Sequence, residues 1–131
     1  MNIEERNELV KYRLSKAKNT IDEVEILLEN KLWNTALNRL YYASYYAVIA
    51  LLVNNEIQVQ THAGVRQMFG LHFIKTGLID KKLGRIFSEL FDKRHTGDYD
   101  DFIEITFDDV IELVQPSKDL ILAIEKLIKY N

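Results

Sequence analysis

Apolar residues recur at helical spacing along nearly the whole chain. Leu9, Leu14, Ala17, Ile21, Val24 and Leu28 form one stripe, and Glu8, Lys11, Lys16, Lys18, Asp22 and Glu25 fall largely off it. This predicts a first helix from about Ile3 to Asn30. A second helix is expected from Trp33 to Asn54. Ala36, Leu37, Leu40, Ala43, Ala47 and Leu51 make it apolar around most of its girth, so it is either central or covered by a second chain. Thr61 is placed to cap a third helix, from His62 to about Lys75, with Gly77 suited to the position beyond its end. Asp80 can cap a fourth, Lys81 to about Arg94, with Leu83, Ile86, Phe87, Leu90 and Phe91 inward. Gly97 interrupts the pattern, and Asp98 to Ile105 reads as an irregular acidic loop. Thr106 opens a last helix, Phe107 to Tyr130, in which Pro116 implies a kink or a break near Gln115.

One proline and five glycines are too few for an all-β chain with many tight turns. With 131 residues and no linker or repeat, the chain is expected to form a single helical domain over residues 1–131. The fold class is all-α, an antiparallel four- to five-helix up-and-down bundle. The net charge of −3 argues against broad non-specific nucleic-acid binding and leaves room only for a local basic patch. The absence of cysteine excludes disulfides and thiolate metal sites. No apolar run approaches the roughly 18 residues of a membrane span, and the N-terminus has no signal-peptide core. A cytoplasmic protein without membrane association is the expectation.

Two polar-aromatic clusters stand out. In the first, Arg39, Tyr42 and Tyr46 share a face of the second helix, with Asn38, Tyr41 and Tyr45 beside them. The tyrosines are best explained as core residues with hydroxyls at the rim. For Arg39, an ion pair with one of the many acids and a ligand-binding role stand level. The second cluster runs from Lys93 to Asp101. Arg94 can hold phosphate with its planar fork, His95 can exchange a proton near neutral pH, and Asp98 and Tyr99 can order both. Such a set can cleave RNA without metal, using the ribose 2′-hydroxyl as nucleophile. A charged helix end and a solvated loop explain the same residues. His62 and His72 do not share a face, and no metal site or cofactor motif is assigned.

Three segments in order resemble the HEPN domains (higher eukaryotes and prokaryotes nucleotide-binding), in particular their small stand-alone prokaryotic members. They are Asn38-Arg39-Leu40-Tyr41-Tyr42-Ala43-Ser44-Tyr45-Tyr46-Ala47, then His62-Ala63-Gly64-Val65 with Phe69 and Phe73, then Arg94-x-x-x-Asp98-Tyr99. The resemblance implies a helical bundle that forms a two-fold homodimer and is often paired with a small nucleotidyltransferase, as in toxin–antitoxin modules. Active members are metal-independent ribonucleases with an Arg-x4–6-His motif. This chain departs from that motif, because Tyr99 stands where a histidine is expected after Arg94, and Tyr46 where one would follow Arg39. Tyrosine, with a pKa near 10, is a poor base at neutral pH.

Two functional classes follow. The preferred one is a nucleotide- or RNA-associated module of a two-gene, toxin–antitoxin-type pair with a nucleotidyltransferase, catalytically weak or silent. The other is a ribonuclease toxin with a degenerate site using His95. The candidate catalytic residues are Arg94, His95 and Tyr99, and the candidate ligand-binding residues are Arg39, Tyr42, Tyr46 and Asp98.

Overall fold

Helix α1 (Ile3–Glu29) starts on a reciprocal capping box. The Asn2 side chain accepts from the Glu5 amide at 2.8 Å, and the Glu5 carboxylate accepts from the Asn2 amide. It ends at Lys31, whose φ of 59° lies in the left-handed region, with the Leu32 amide donating back to the Leu27 carbonyl at 2.9 Å. Helix α2 (Trp33–Asn54) ends in the same way. Glu56 has φ 58°, and the Ile57 amide donates to the Leu52 carbonyl at 2.9 Å. The computed structural model describes residues 1–99 and 104–130, with the backbone alone at 96–99.

Among the described residues there are five α-helices and no strand, an all-α bundle. Arg6, at the start of α1, pairs with Glu56, just past the end of α2, at 2.7 Å, so the two helices run antiparallel. Helix α5 (Phe107–Leu127) runs parallel to α2. Trp33 meets Phe107 edge-on at 5.4 Å at one end, and the Asn54 amide donates to the Lys129 carbonyl at the other. Ion pairs Lys18–Glu125 and Lys118–Glu25 tie α5 to α1.

Helix α2 is the axis of this packing. Ala47 to Leu52 are all buried, as are Leu40, Tyr41 and Ala43. The apolar girth that suggested cover by a second chain is therefore buried by α1, α4 and α5 of the same chain. Composition thus gives no reason for a second chain, and a dimer is implied by the HEPN resemblance alone.

The third helical segment has two parts. Helix α3 (His62–Phe69) is capped by Thr61, which accepts from the Gly64 amide at 2.9 Å. A π-helical turn, Gly70–Ile74, follows and closes on the Lys75 amide donating to the Gly70 carbonyl. Gly77, at φ 79°, reverses the chain where the sequence placed the turn. Helix α4 (Lys81–Tyr99) extends past Arg94, and Gly97 lies inside it rather than ending it. Its backbone hydrogen bonds continue because one glycine costs a helix only about 1 kcal/mol. Pro116 does not break α5, which is helical from Phe107 to Leu127. Thr106 and Asp109 form its capping box.

Candidate functional site

The aromatic face of α2 meets α3 and α4 around Tyr41 and Tyr42. Arg94 of α4 donates from Nη2 to the Tyr42 hydroxyl at 2.9 Å. Its guanidinium carbon lies 5.4 Å from the centroid of the Tyr41 ring and 5.1 Å from that of Tyr42, within the range of cation–π attraction. Arg39 sits 5.4 Å from the same Tyr42 ring. Tyr42 therefore carries both arginines. No acid among the described residues pairs with Arg39. Its Nε and Nη2 donate to Asn38 Oδ1 instead, the latter at 2.7 Å.

His62, which the sequence offered only as part of a segment, enters this site. Its ring stacks on Tyr45 at 4.4 Å with a 5° tilt, and its Nδ1 lies 2.8 Å from the Tyr41 hydroxyl. Burial, aided by the Arg94 charge, lowers the His62 pKa below its ordinary value. Burial likewise pushes the Tyr41 hydroxyl well above its usual range. Both groups are thus neutral near pH 7, and a single hydrogen bond joins them, from the phenol to Nδ1 or from Nδ1–H to the phenol oxygen according to the imidazole tautomer.

Tyr41, His62, Ala63, Phe91, Arg94 and His95 line one pocket of about 300 Å³. His95 is exposed and lies parallel to Phe91, with centroids 6.4 Å apart. The first turn of α3 thus brings His62 to residues 94 and 95 near the end of α4. The signal present in the sequence was the Thr61 cap, which fixes His62 as the first residue of a helix. Tyr46 lies outside this pocket. Its ring is 5.9 Å from Tyr42 and carries the Lys16 ammonium at 4.8 Å. The side chains of Asp98 and Tyr99, and residues 100–103, lie outside the described residues. The helical backbone does place positions 94 and 98 one turn apart on one face, whereas position 99 is rotated from 94 by roughly 140°.

A second depression, of about 330 Å³, continues along α3 and α4. Arg66, Lys75, Lys81 and Arg85 line it, and no carboxylate does. Arg66 also lies over Phe91 at 4.5 Å, which joins this basic wall to the Arg94 pocket. Arg66 is paired with Asp92 at 2.9 Å. The local basic patch left open by the net charge is here. Among the described residues no group of three His, Asp or Glu side chains is arranged to hold a metal ion. Asp109 is engaged in capping, and its hydrogen bonds to Thr106 lower its pKa. No helix among the described residues is long and apolar enough to cross a membrane.

The all-α bundle belongs to a known class, the HEPN domain family, whose model matches residues 10–128 of the chain. The chain is 34% identical over 125 residues to a UPF0332 protein of Thermotoga maritima, with 95% of each chain covered. It is 37% identical over 105 residues to a Methanocaldococcus jannaschii protein named a putative toxin, covering 80% of this chain and 71% of that one. A second protein of that organism with the same designation is 39% identical over 83 residues, covering 63% and 62%.

Proposed function

We propose that this chain acts as a toxin-type HEPN module, a cytoplasmic homodimer of one-domain subunits paired with a nucleotidyltransferase. Its Arg94 pocket receives a phosphate-bearing ligand, RNA or a nucleotide, and catalysis there is weak or silent. One observation carries the reading. Arg94 is anchored by the Tyr42 hydroxyl and two rings at the mouth of a pocket that the His62 and His95 imidazoles also line. A guanidinium fixed in this way keeps its orientation for an oxyanion. The carboxylate-free wall of Arg66, Lys75, Lys81 and Arg85 supports an extended anionic ligand. Similarity to proteins named as toxins supports the module class. Tyr99, on the same helix, is the acceptor hydroxyl for nucleotidyl transfer by the partner.

The test is binding of structured RNA to wild type and Arg94→Ala, with light scattering on the same samples. Binding at least roughly tenfold weaker in the variant is expected. Equal binding, or a particle of 15.4 kDa at micromolar concentration, rejects the site or the dimer respectively.

A second reading is favoured by the meeting of Arg94 and His95 in one pocket. In a metal-independent ribonuclease His95 would take the proton of the 2′-hydroxyl as its oxygen attacks phosphorus, and Arg94 would hold the phosphorane. The bond from phosphorus to the 5′-oxygen breaks, that oxygen takes a proton from water to leave as an alcohol, and a 2′,3′-cyclic phosphate remains. Efficient cleavage in chelator that is lost in Arg94→Ala would select this reading over the silent module.

A further inference from the structure

A cavity larger than the Arg94 pocket lies elsewhere in the bundle. It has a volume of about 570 Å³ and lies between the first half of α1, the second half of α2 and segment 56–60. That volume falls in the roughly 300–1,000 Å³ range of small-molecule sites. Its chemistry divides in two. Arg6, Arg13, Tyr45 and Gln58 contribute polar groups, while Ile49, Leu52, Val53 and Val65 form an apolar wall.

The two arginines are poorly served by the protein itself. Arg6 pairs with Glu56, the one carboxylate in the lining, leaving Arg13 without an ion pair among the described residues. The Nε atoms of both Arg6 and Arg13 are buried and have no acceptor among those residues. Buried donors of this kind are normally satisfied, and a buried guanidinium left unpaired is costly. Tyr45 faces the same charge. Burial raises its pKa and the nearby Arg13 opposes the shift, so the hydroxyl stays protonated and remains a donor. A cavity lined by Arg13, which has no ion pair among the described residues, and by the Tyr45 phenol beside it lacks one thing, a multivalent oxyanion acceptor.

We infer that this cavity is a binding site for a small phosphate ester, with its phosphate on Arg13, Arg6 and the Tyr45 hydroxyl. The organic body of the ligand lies on the apolar wall, beside the Gln58 amide. The site is separate from the Arg94 pocket and does not depend on RNA being bound there. The two share only a wall, since Tyr45 lines this cavity and stacks on His62, which lines the other.

The experiment is calorimetric titration of the full chain at low salt with AMP, inorganic phosphate and adenosine. AMP is expected to bind, phosphate to bind more weakly, and adenosine not to bind measurably. Arg13→Ala should weaken AMP by about tenfold or more, and Arg13→Lys by less, because a point charge replaces a bidentate fork. On the wild type, AMP should shift the Arg13 Nε–H resonance, assigned by its absence in Arg13→Lys. That reading survives if the alanine variant does not fold. No AMP binding at millimolar concentration, or AMP no tighter than phosphate, overturns the ester site. Loss of AMP binding in Arg94→Ala with none in Arg13→Ala moves the anion to the Arg94 pocket, overturning this inference while leaving the proposed function standing.

Discussion

Arg94 and Tyr42 are joined twice, by a 2.9 Å hydrogen bond from Nη2 to the phenol oxygen and by the guanidinium lying 5.1 Å from the ring centroid. The two interactions separate chemically. Tyr42→Phe keeps the ring and removes only the acceptor. It is expected to cost about 1 kcal/mol of stability, because the pair is only part-buried and water replaces some of the missing interaction. A urea midpoint that falls at constant slope would record it. RNA binding should weaken in the same variant, since Arg94 is deprived of the group that fixes its direction.

The Tyr41–His62 pair sets a pH dependence whose sign is fixed by the lowered imidazole pKa. In the unfolded chain His62 takes up a proton near its ordinary 6.5, and in the folded chain it does so only at lower pH. The unfolded state therefore binds more protons between those two values, so this contribution to stability is complete above 6.5 and is lost as pH falls through the folded pKa. Nuclear magnetic resonance titration of the His62 ring should give a midpoint below 6.5. In Arg94→Ala it should rise without reaching that value, because burial is the larger cause and remains. An unchanged midpoint in the variant would show that Arg94 does not act on His62.

Lys31 holds a left-handed backbone at φ 59° while ending α1. A Cβ in that region costs roughly 1–2 kcal/mol, and glycine avoids it at the expense of a more flexible unfolded chain. Lys31 is exposed, so little packing opposes the change. Lys31→Gly is expected to raise stability by about 0.5 kcal/mol, read as a higher midpoint of thermal unfolding.

The helices are legible where an apolar stripe and a Thr cap occur together, at Thr61 and Thr106, whereas the Asn2 capping box of α1 is seen only in the structure. The ends of α1 and α2 were legible only to within a residue or two. The left-handed positions fell on Lys31 and Glu56 rather than on the asparagines beside them. The π-turn at Gly70–Ile74 has no counterpart in the sequence reading, which runs one helix through it. Helix α4 runs through Gly97 because the cost of one glycine is outweighed by continued backbone hydrogen bonding. At the site, Arg94 and Tyr42 could be named from sequence. That Tyr42 would carry Arg39 as well, and that His62 would be clamped by Tyr41 and Tyr45, are tertiary facts. They depend on where α3 docks, and no spacing within α2 encodes that.

Gly84 shows how tightly α4 sits on the π-turn. A Cβ built there would lie 2.9 Å from both Cδ1 and Cγ1 of Ile74 and 3.1 Å from its Cγ2. The whole branched end is in the way, so rotation of one methyl does not relieve it. Gly84→Ala should cost a net 1 kcal/mol or so, the overpacking of about 1–3 kcal/mol exceeding the helix-propensity gain of about 1. In an Ile74→Ala background the same change should become stabilising. A denaturant-based double-mutant cycle measures the reversal, and additive effects would show that the two residues do not touch.

Under the proposed function, the basic wall and the Arg94 pocket would make different demands on an RNA ligand, and salt would separate them. Arg85 lines the carboxylate-free depression and is exposed, so its pairing with a phosphate acts through counterion release. Arg85→Ala should weaken RNA binding to a similar degree whatever the sequence. It should also make the plot of log affinity against log salt shallower by about 0.7–0.9 for each phosphate no longer neutralised. Arg94 is held by Tyr42 over two rings, and what its removal takes away is chiefly an oriented guanidinium. Arg94→Ala should reduce affinity more than Arg85→Ala at every salt concentration, with a comparable change in slope. Filter binding from low to moderate salt gives both quantities. If Arg85→Ala leaves the slope unchanged, the depression on α3 and α4 is not part of the RNA path, and the anionic ligand is confined to the Arg94 pocket.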